Sequence, residues 1–477
     1  MFFRLKIGDL RSRIYARMIN KNKIKIKEQR LGRQAAAFFC AISIVLAVTL
    51  AYAATAEGVS IPQNSWLGQQ TLTGDWGGLR SRLVDKGVTI SANYTMDLAG
   101  NPTGGNRQGF TYAGFLQVGA ALNLEKLISL KGLALTVSNY VASGRNLSNE
   151  IGEYYGVQEI YAPGDYYFGE LDLSLTLAED KLILEAGRLF AGDVFATSDL
   201  WQYYMNGGIN TNLISSSGDA FFPHFQVASW GARATYEPDK KWKFAAAAYD
   251  ANPKVKDPYR HGADFSFSTD DGCLAVGQLT YKHNHDKEGG LPGSATFGGY
   301  YESSKFNYLA DSSITRKGNY GLYFIIEQML YRGDWPEFTG PKHLSSQAGY
   351  SERVKQPYYQ RIAFPADRPK GLTAWWSTYL APQEKINAQT YQLAGGLVYQ
   401  GLPPNRNRDV TAFCVIYGNF SDDLAGQDAE TMLELNHRFQ VSQWCYITPD
   451  IQYIFNPNGR HNVDNALVLG AEASFNF

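Results

Sequence analysis

Few side chains in this sequence are grouped in a way that could do chemistry. His283 and His285, in the run His283-Asn284-His285-Asp286, share one face of any extended strand, which could supply two ligands to a metal. No third or fourth ligand stands at a matching spacing, so the pair reads as a solvated strand end, and no metal or other cofactor is expected. Beyond Cys40, the cysteines Cys273, Cys414 and Cys445 are odd in number and form no Cys-x-x-Cys, and they read as buried or lipid-facing thiols. Neither a G-x-S-x-G elbow, nor H-E-x-x-H, nor a phosphate-binding glycine loop is present, so no catalytic residue is assigned and the chain is not read as an enzyme. What recurs instead is charge at every second position. Glu170, Asp172, Ser174 and Thr176 alternate with Leu171, Leu173, Leu175 and Leu177, and Glu434, Asn436, Arg438 and Gln440 alternate with Leu433, Leu435, Phe439 and Val441. Arg233 and Thr235 likewise oppose Trp230, Ala232, Ala234 and Tyr236. Burying so many charges in a dry core is costly unless all are paired, so Glu170, Asp172, Glu185, Arg233, Glu434 and Arg438 read as the solvated wall of a water-filled interior.

Such alternation suits β-strands with lipid on one side and water on the other, and equally soluble strands with their apolar face on a core, a tie that the N-terminus breaks. The C-terminal strand is the clearest. Leu467, Leu469, Ala471, Ala473, Phe475 and Phe477 share one face, and Gly470, Glu472, Ser474 and Asn476 share the other. Period-two segments between turn signals predict strands near 87–98, 112–124, 132–142, 167–177, 181–190, 228–237, 242–250 and 273–283. The second half adds 294–303, 319–330, 371–380, 390–400, 409–419, 430–440, 444–455 and 466–477. About sixteen strands of this length suit a transmembrane antiparallel up-and-down β-barrel, all-β in class. Segments 242–250 and 409–419 are too alanine-rich or too apolar for their faces to be assigned. Short turns such as Glu179-Asp180, Pro238-Asp239-Lys240 and Ser442-Gln443 are expected at the periplasmic rim. Long connections at 143–166, 191–227, 251–272 and 331–370 are expected to face outward or fold into the mouth.

The N-terminus points to the same compartment. Residues 1 to 34 carry eleven Lys and Arg against two acids and run into an apolar stretch, 35–53, with small residues at Ala51, Ala53, Ala54 and Ala56. Residues 1–56 therefore read as a cleaved signal peptide with a long basic leader. Removing a segment worth +9 from a chain of formal charge −1 leaves a mature protein near −10, which disfavours a nucleic-acid partner. Residues 57–86 read as a periplasmic segment in which Asp75 caps a short helix bearing Leu79 and Leu83, and 87–477 as the barrel.

Several motifs resemble the OprB-type carbohydrate-selective porins. They are Leu72-Thr73-Gly74-Asp75-Trp76-Gly77-Gly78-Leu79-Arg80, Ser143-Gly144-Arg145-Asn146, Ala186-Gly187-Arg188-Leu189 with Asp193-Val194-Phe195, and Tyr399-Gln400-Gly401-Leu402-Pro403. Pro449-Asp450-Ile451-Gln452-Tyr453-Ile454-Phe455-Asn456-Pro457 and Val463-Asp464-Asn465-Ala466-Leu467 resemble that family's closing strands. The resemblance runs from about Leu72 to Phe477. It implies a sixteen-stranded barrel in the outer membrane of a Gram-negative-type bacterium, passing small sugars by diffusion through a narrowed polar lumen. It also implies constriction residues at Arg145, at Glu159 in Gln158-Glu159-Ile160, and at Phe225. Relatives can carry a second arginine three residues before Arg145, where this chain has Ala142, which implies fewer sugar contacts or a wider pore. The terminal Phe477 resembles the signal read by the barrel assembly machinery. A general or anion porin, or a surface receptor barrel, are the alternative readings, and monomer and homo-oligomer both stay open.

Overall fold

Leu397, Phe413, Leu435, Ile451 and Leu469 stand side by side on five neighbouring strands, each 40 to 49% exposed. One residue along, Glu434 on the same sheet is buried against the interior, at 1%. This is the lipid-out, polar-in alternation of a membrane strand, repeated around a closed wall. The computed structural model describes residues 66–163, 166–210, 212–224, 227–268, 270–285, 290–333, 370–404 and 406–477.

The wall has sixteen strands. They are β1 (Val88–Gly105), β2 (Gly109–Asn123), β3 (Leu133–Gly144), β4 (Tyr166–Leu177), β5 (Leu182–Leu189), β6 (Ser229–Tyr236), β7 (Trp242–Asp250) and β8 (Cys273–His283), followed by β9 (Gly293–Asn307), β10 (Thr315–Arg332), β11 (Gly371–Leu380), β12 (Gln389–Gln400), β13 (Val410–Phe420), β14 (Ala429–Gln440), β15 (Cys445–Phe455) and β16 (Asp464–Asn476). Each pairs antiparallel with its sequence neighbours, and β1 closes the cylinder on β16 through Asn93↔Asn476 and Asp97↔Glu472. Closure leaves no edge amides facing hydrocarbon. Among the described residues no helix is long and apolar enough to cross a membrane. Aromatic clusters on the outer face, such as Trp242 with Tyr281 (4.8 Å between ring centroids) and Tyr236 with Phe244 (6.4 Å), mark the rim that also carries the barrel's two ends.

All sixteen expected strands form, with β1, β9 and β10 longer than their patterns suggested. The two unassignable segments have a physical explanation. On β13 the inward residues Ala412, Cys414 and Ile416 are as apolar as the outward ones, because a folded segment covers them from inside. Ala245 and Tyr249 on β7 lie in the same interior cluster. Cys414 and Cys445 stand on β13 and β15, with β14 between them, and all three cysteines in the described residues are free thiols.

One expectation fails on parity. The connection 331–370 was expected at the long-loop rim from its length. However, β10 runs toward the short-turn rim, and Arg332 pairs there with Gly371 at the start of β11. In an up-and-down barrel strand number, not loop length, decides the rim. Residues 334–369 themselves lie outside the described residues.

Before β1, the helix Leu79–Asp85 begins where the Asp75 carboxylate accepts from Ser81 N (2.8 Å) and Ser81 Oγ (2.9 Å). Leu72 N donates to Asn476 O (2.8 Å), and Phe477 N donates to Ala92 O (2.9 Å), so both ends of the barrel are tied to its rim.

Candidate functional site

Two connections from the long-loop rim fold inward. The longer, 190–228, joins β5 to β6. It carries Trp201, Tyr203, Tyr204, Met205, Ile209, Leu213 and Phe222, all nearly inaccessible to solvent. Its contacts run along the inner faces of β8 to β15. Gln278 Nε2 donates to Val194 O (3.1 Å), Phe221 N to Glu302 Oε2 (2.6 Å), and Asn319 Nδ2 to Asp219 O (2.9 Å). Trp375 Nε1 donates to Tyr204 Oη (3.0 Å), which donates in turn to Phe413 O (3.1 Å).

At the farthest point the segment meets charge. Glu434 accepts from Met205 N (2.7 Å) and Asn206 N (3.1 Å), and Arg438 donates to Gln202 O (2.7 Å) while its guanidinium lies 3.9 Å from the Tyr446 ring. Gln392 Nε2 reaches Gly208 O (2.9 Å). A carboxylate against backbone N–H and a guanidinium against backbone C=O are charge-assisted bonds, stronger than neutral ones and strongly oriented.

The second inward stretch, 145–163, begins at the Ser-Gly-Arg-Asn motif. Gly144 has φ +91°, and a Cβ there would lie 2.0 Å from Tyr112 O, so only glycine lets the chain turn in at this point. Arg145 N donates to that carbonyl (2.7 Å), and the half-exposed Arg145 guanidinium sits 3.1 Å from Glu150, which also binds Arg107. Glu430 accepts from Tyr154 N (2.9 Å) and Tyr155 N (3.3 Å) across the bore.

The two stretches then meet. Glu159 N donates to Met205 O (3.1 Å) and Gly207 N to Gly156 O (2.7 Å). A Cβ on Gly207 would come within 2.5 Å of the Glu159 carboxylate, so this glycine lets Glu159 lie against the longer segment. Arg145 and Glu159 thus border the inward segments from the same connection, Arg145 toward Glu150 and Glu159 against Gly207. Phe225 lies outside the described residues.

The six residues read as solvated wall all belong to inward-facing positions, but their surroundings correct that reading. None is solvated: their exposures range from 1 to 7%. Glu434 and Arg438 anchor the long segment, and Arg438 also lies 3.4 Å from Glu472. Glu185 and Arg233 form a two-bond pair (2.6 and 2.8 Å), and Glu170 N and Oε2 engage Ser138 Oγ (2.9 and 3.3 Å). Asp172 is buried beside them on β4. Of the connections expected to face outward or fold into the mouth, 190–228 folds inward, and it meets Arg233, Glu434 and Arg438. A signal was present, however: a loop containing Trp201, Tyr203, Tyr204, Met205, Ile209 and Leu213 is too apolar to face water. The paired histidines do not converge. His283 Nε2 contacts Gln328 Oε1 (2.8 Å) and His285 Nε2 contacts Gly293 O (3.2 Å).

Comparison with known proteins adds to this geometry. The family model described as carbohydrate-selective porin, OprB family, matches residues 107–477. Porin B of Pseudomonas aeruginosa is 25% identical, with 89% of this chain and 94% of that protein covered. A putative porin, QuiX, of Acinetobacter baylyi is 22% identical over 86% of this chain and 93% of that protein. Among solved structures, the high-pH form of Pseudomonas putida OprB superposes with a TM-score of 0.72 at 22% identity, covering 86% of this chain and 99% of that one, which speaks for a shared fold.

Proposed function

The chain belongs to the OprB family of carbohydrate-selective porins, and we propose that it passes small sugars down their gradient across the outer membrane, through a path narrowed by segments 145–163 and 190–228 with Arg145 and Glu159 at their border. The observation that carries this reading is a closed, lipid-faced wall whose own connections fold inward and are fixed to its opposite side by buried charge. The fold and the family are those of channels.

A sugar entering a narrow section gives up water. Arginine donors and carboxylate acceptors replace those hydrogen bonds, and aromatic faces cover the apolar side of the ring. Binding stays weak, because a tight hold would trap the solute the pore must release. Arg145 suits the donor role: its guanidinium is half exposed, and Glu150 holds only part of its fork.

Conductance of the protein in planar bilayers is expected to fall as sugar is added, and liposomes containing it to swell in small sugars. In Arg145→Ala the block weakens while barrel assembly, read by heat-modifiable migration, is unchanged. Equal block in the assembled variant removes Arg145 from the constriction, and wild-type conductance indifferent to every sugar removes the carbohydrate reading.

We further propose that residues 1–56 are the export leader and that Phe477 is read by the assembly machinery. Deleting Phe477 should lower the amount of inserted barrel in cells; normal insertion would argue against that role.

A further inference from the structure

Segment 190–228 leaves and rejoins the wall between neighbouring strands, and two buried arginines stand at this neck. The N–H groups of Ala191 and Gly192 both donate to Pro223 O (2.7 and 3.1 Å), so the outgoing and returning chains touch. Arg233 on β6 donates Nη1 to Phe190 O (2.9 Å), at the start of the segment, while its remaining fork is held by Glu185. Arg188 on β5 donates Nη2 to Ala228 O (2.8 Å), at the end of the segment, and Nη1 to Asp264 O (2.5 Å) in the connection between β7 and β8. Its guanidinium also lies 5.0 Å from the Phe265 ring.

The arrangement is crossed. The arginine on the strand the chain leaves holds the chain's return, and the arginine on the strand it rejoins holds its departure. Both side chains are almost fully buried, at 1 and 5% exposure, so neither serves as a free charge for passing solute. A guanidinium suits this work because its planar fork fixes direction as well as distance, and it stays charged when buried. The carbonyls these guanidinium groups satisfy, Phe190 O, Ala228 O and Asp264 O, are acceptors in a buried region where each needs a donor.

We propose that Arg188 and Arg233 are positioning residues which set the angle at which segment 190–228 enters the bore, and thereby the width of the narrowest section. This rests on the reading that the segment narrows the path. Arg188 belongs to the Ala186-Gly187-Arg188-Leu189 run, and the clamp gives that run a physical role.

The test is unitary conductance of purified, assembled barrels in salt without sugar. Arg188→Met frees the Ala228 and Asp264 carbonyls and should raise conductance and open-channel noise, roughly twofold in conductance if the narrowest area doubles. Arg188→Lys, which keeps the charge and can reach one carbonyl, should recover part of the wild-type value. Removing Arg233 alone would strand a buried Glu185, so the companion variant is Glu185→Leu with Arg233→Met, which frees Phe190 O without a lone charge. A role in barrel stability alone would lower the yield of assembled protein at unchanged conductance, and that result overturns the proposal. Glu434→Leu, which frees the far side of the segment, serves as the reference. If it widens the channel and the arginine variants do not, only the clamp fails. If neither changes conductance, the segment is not the narrowing element, and both readings fall.

Discussion

The inward segment is held at two places by side chains on its backbone, by donors alone at the neck and by donors and an acceptor together at the far side. At its neck, Arg188 and Arg233 donate to carbonyls; at its far side, Glu434 receives two backbone N–H groups beside Arg438 and Gln392. The neck is also held by the chain itself, since Leu189 and Ser229 are paired residues of adjacent strands. No covalent tie exists at the far side. Loss of one contact there should therefore move the segment further than loss of one contact at the neck, which gives the comparison a measurable order.

The largest effect is expected from Glu434→Leu. It leaves Met205 N, Asn206 N and the Asn436 amide without their shared acceptor, worth on the order of 3 kcal/mol of docking. Protease cleavage within 199–210 in the assembled barrel should become easy where the native protein resists. Continued resistance would mean that the apolar contacts around Trp201 and Tyr204 hold the far side without the carboxylate.

Arg188→Met should come next, with a wider channel but a segment still resistant to protease, because the strand pairing below it persists. If it matches or exceeds Glu434→Leu, the covalent argument is wrong and the neck is the weaker end.

A smaller change is expected with pH. The Asp219 carboxyl accepts from Tyr379 Oη (3.2 Å) and Gln389 N (3.3 Å), and burial pushes it from its ordinary 3.8 up to about 7. A docked value above the undocked one means the docked form binds the proton more tightly. Its contribution is fully present below the ordinary carboxylate value and is lost as pH rises through about 7. Open-channel noise should grow as pH rises from about 4 to about 7, between the ordinary and the docked value, and Asp219→Asn should flatten the dependence. An identical pH profile in that variant would assign the change to another group.

The sixteen strands were readable because each exposes one face to lipid, so the period-two signal survives residue by residue, as in Leu433, Leu435 and Phe439 against Glu434, Asn436 and Arg438. Where the signal vanished, on β13, the reason was physical: Ala412, Cys414 and Ile416 are covered from inside by residues more than a hundred positions earlier, and no local window contains them. The six charges expected to be solvated are buried, and three of them, Arg233, Glu434 and Arg438, hold the inward segment. The Ser143-Gly144-Arg145-Asn146 and Gln158-Glu159-Ile160 motifs led to neighbouring stretches of one inward connection, but the partners of Arg145 and the fit of Glu159 against Gly207 depend on distant chain.

The sequence by itself determined the wall, because alternation, turn residues and a strand count are local properties that lipid and water select position by position. Only the tertiary structure decided the interior. Which connection turns inward, which buried charge meets its backbone, and which rim a loop leaves from depend on closure and on strand parity, quantities that exist only once β1 has met β16.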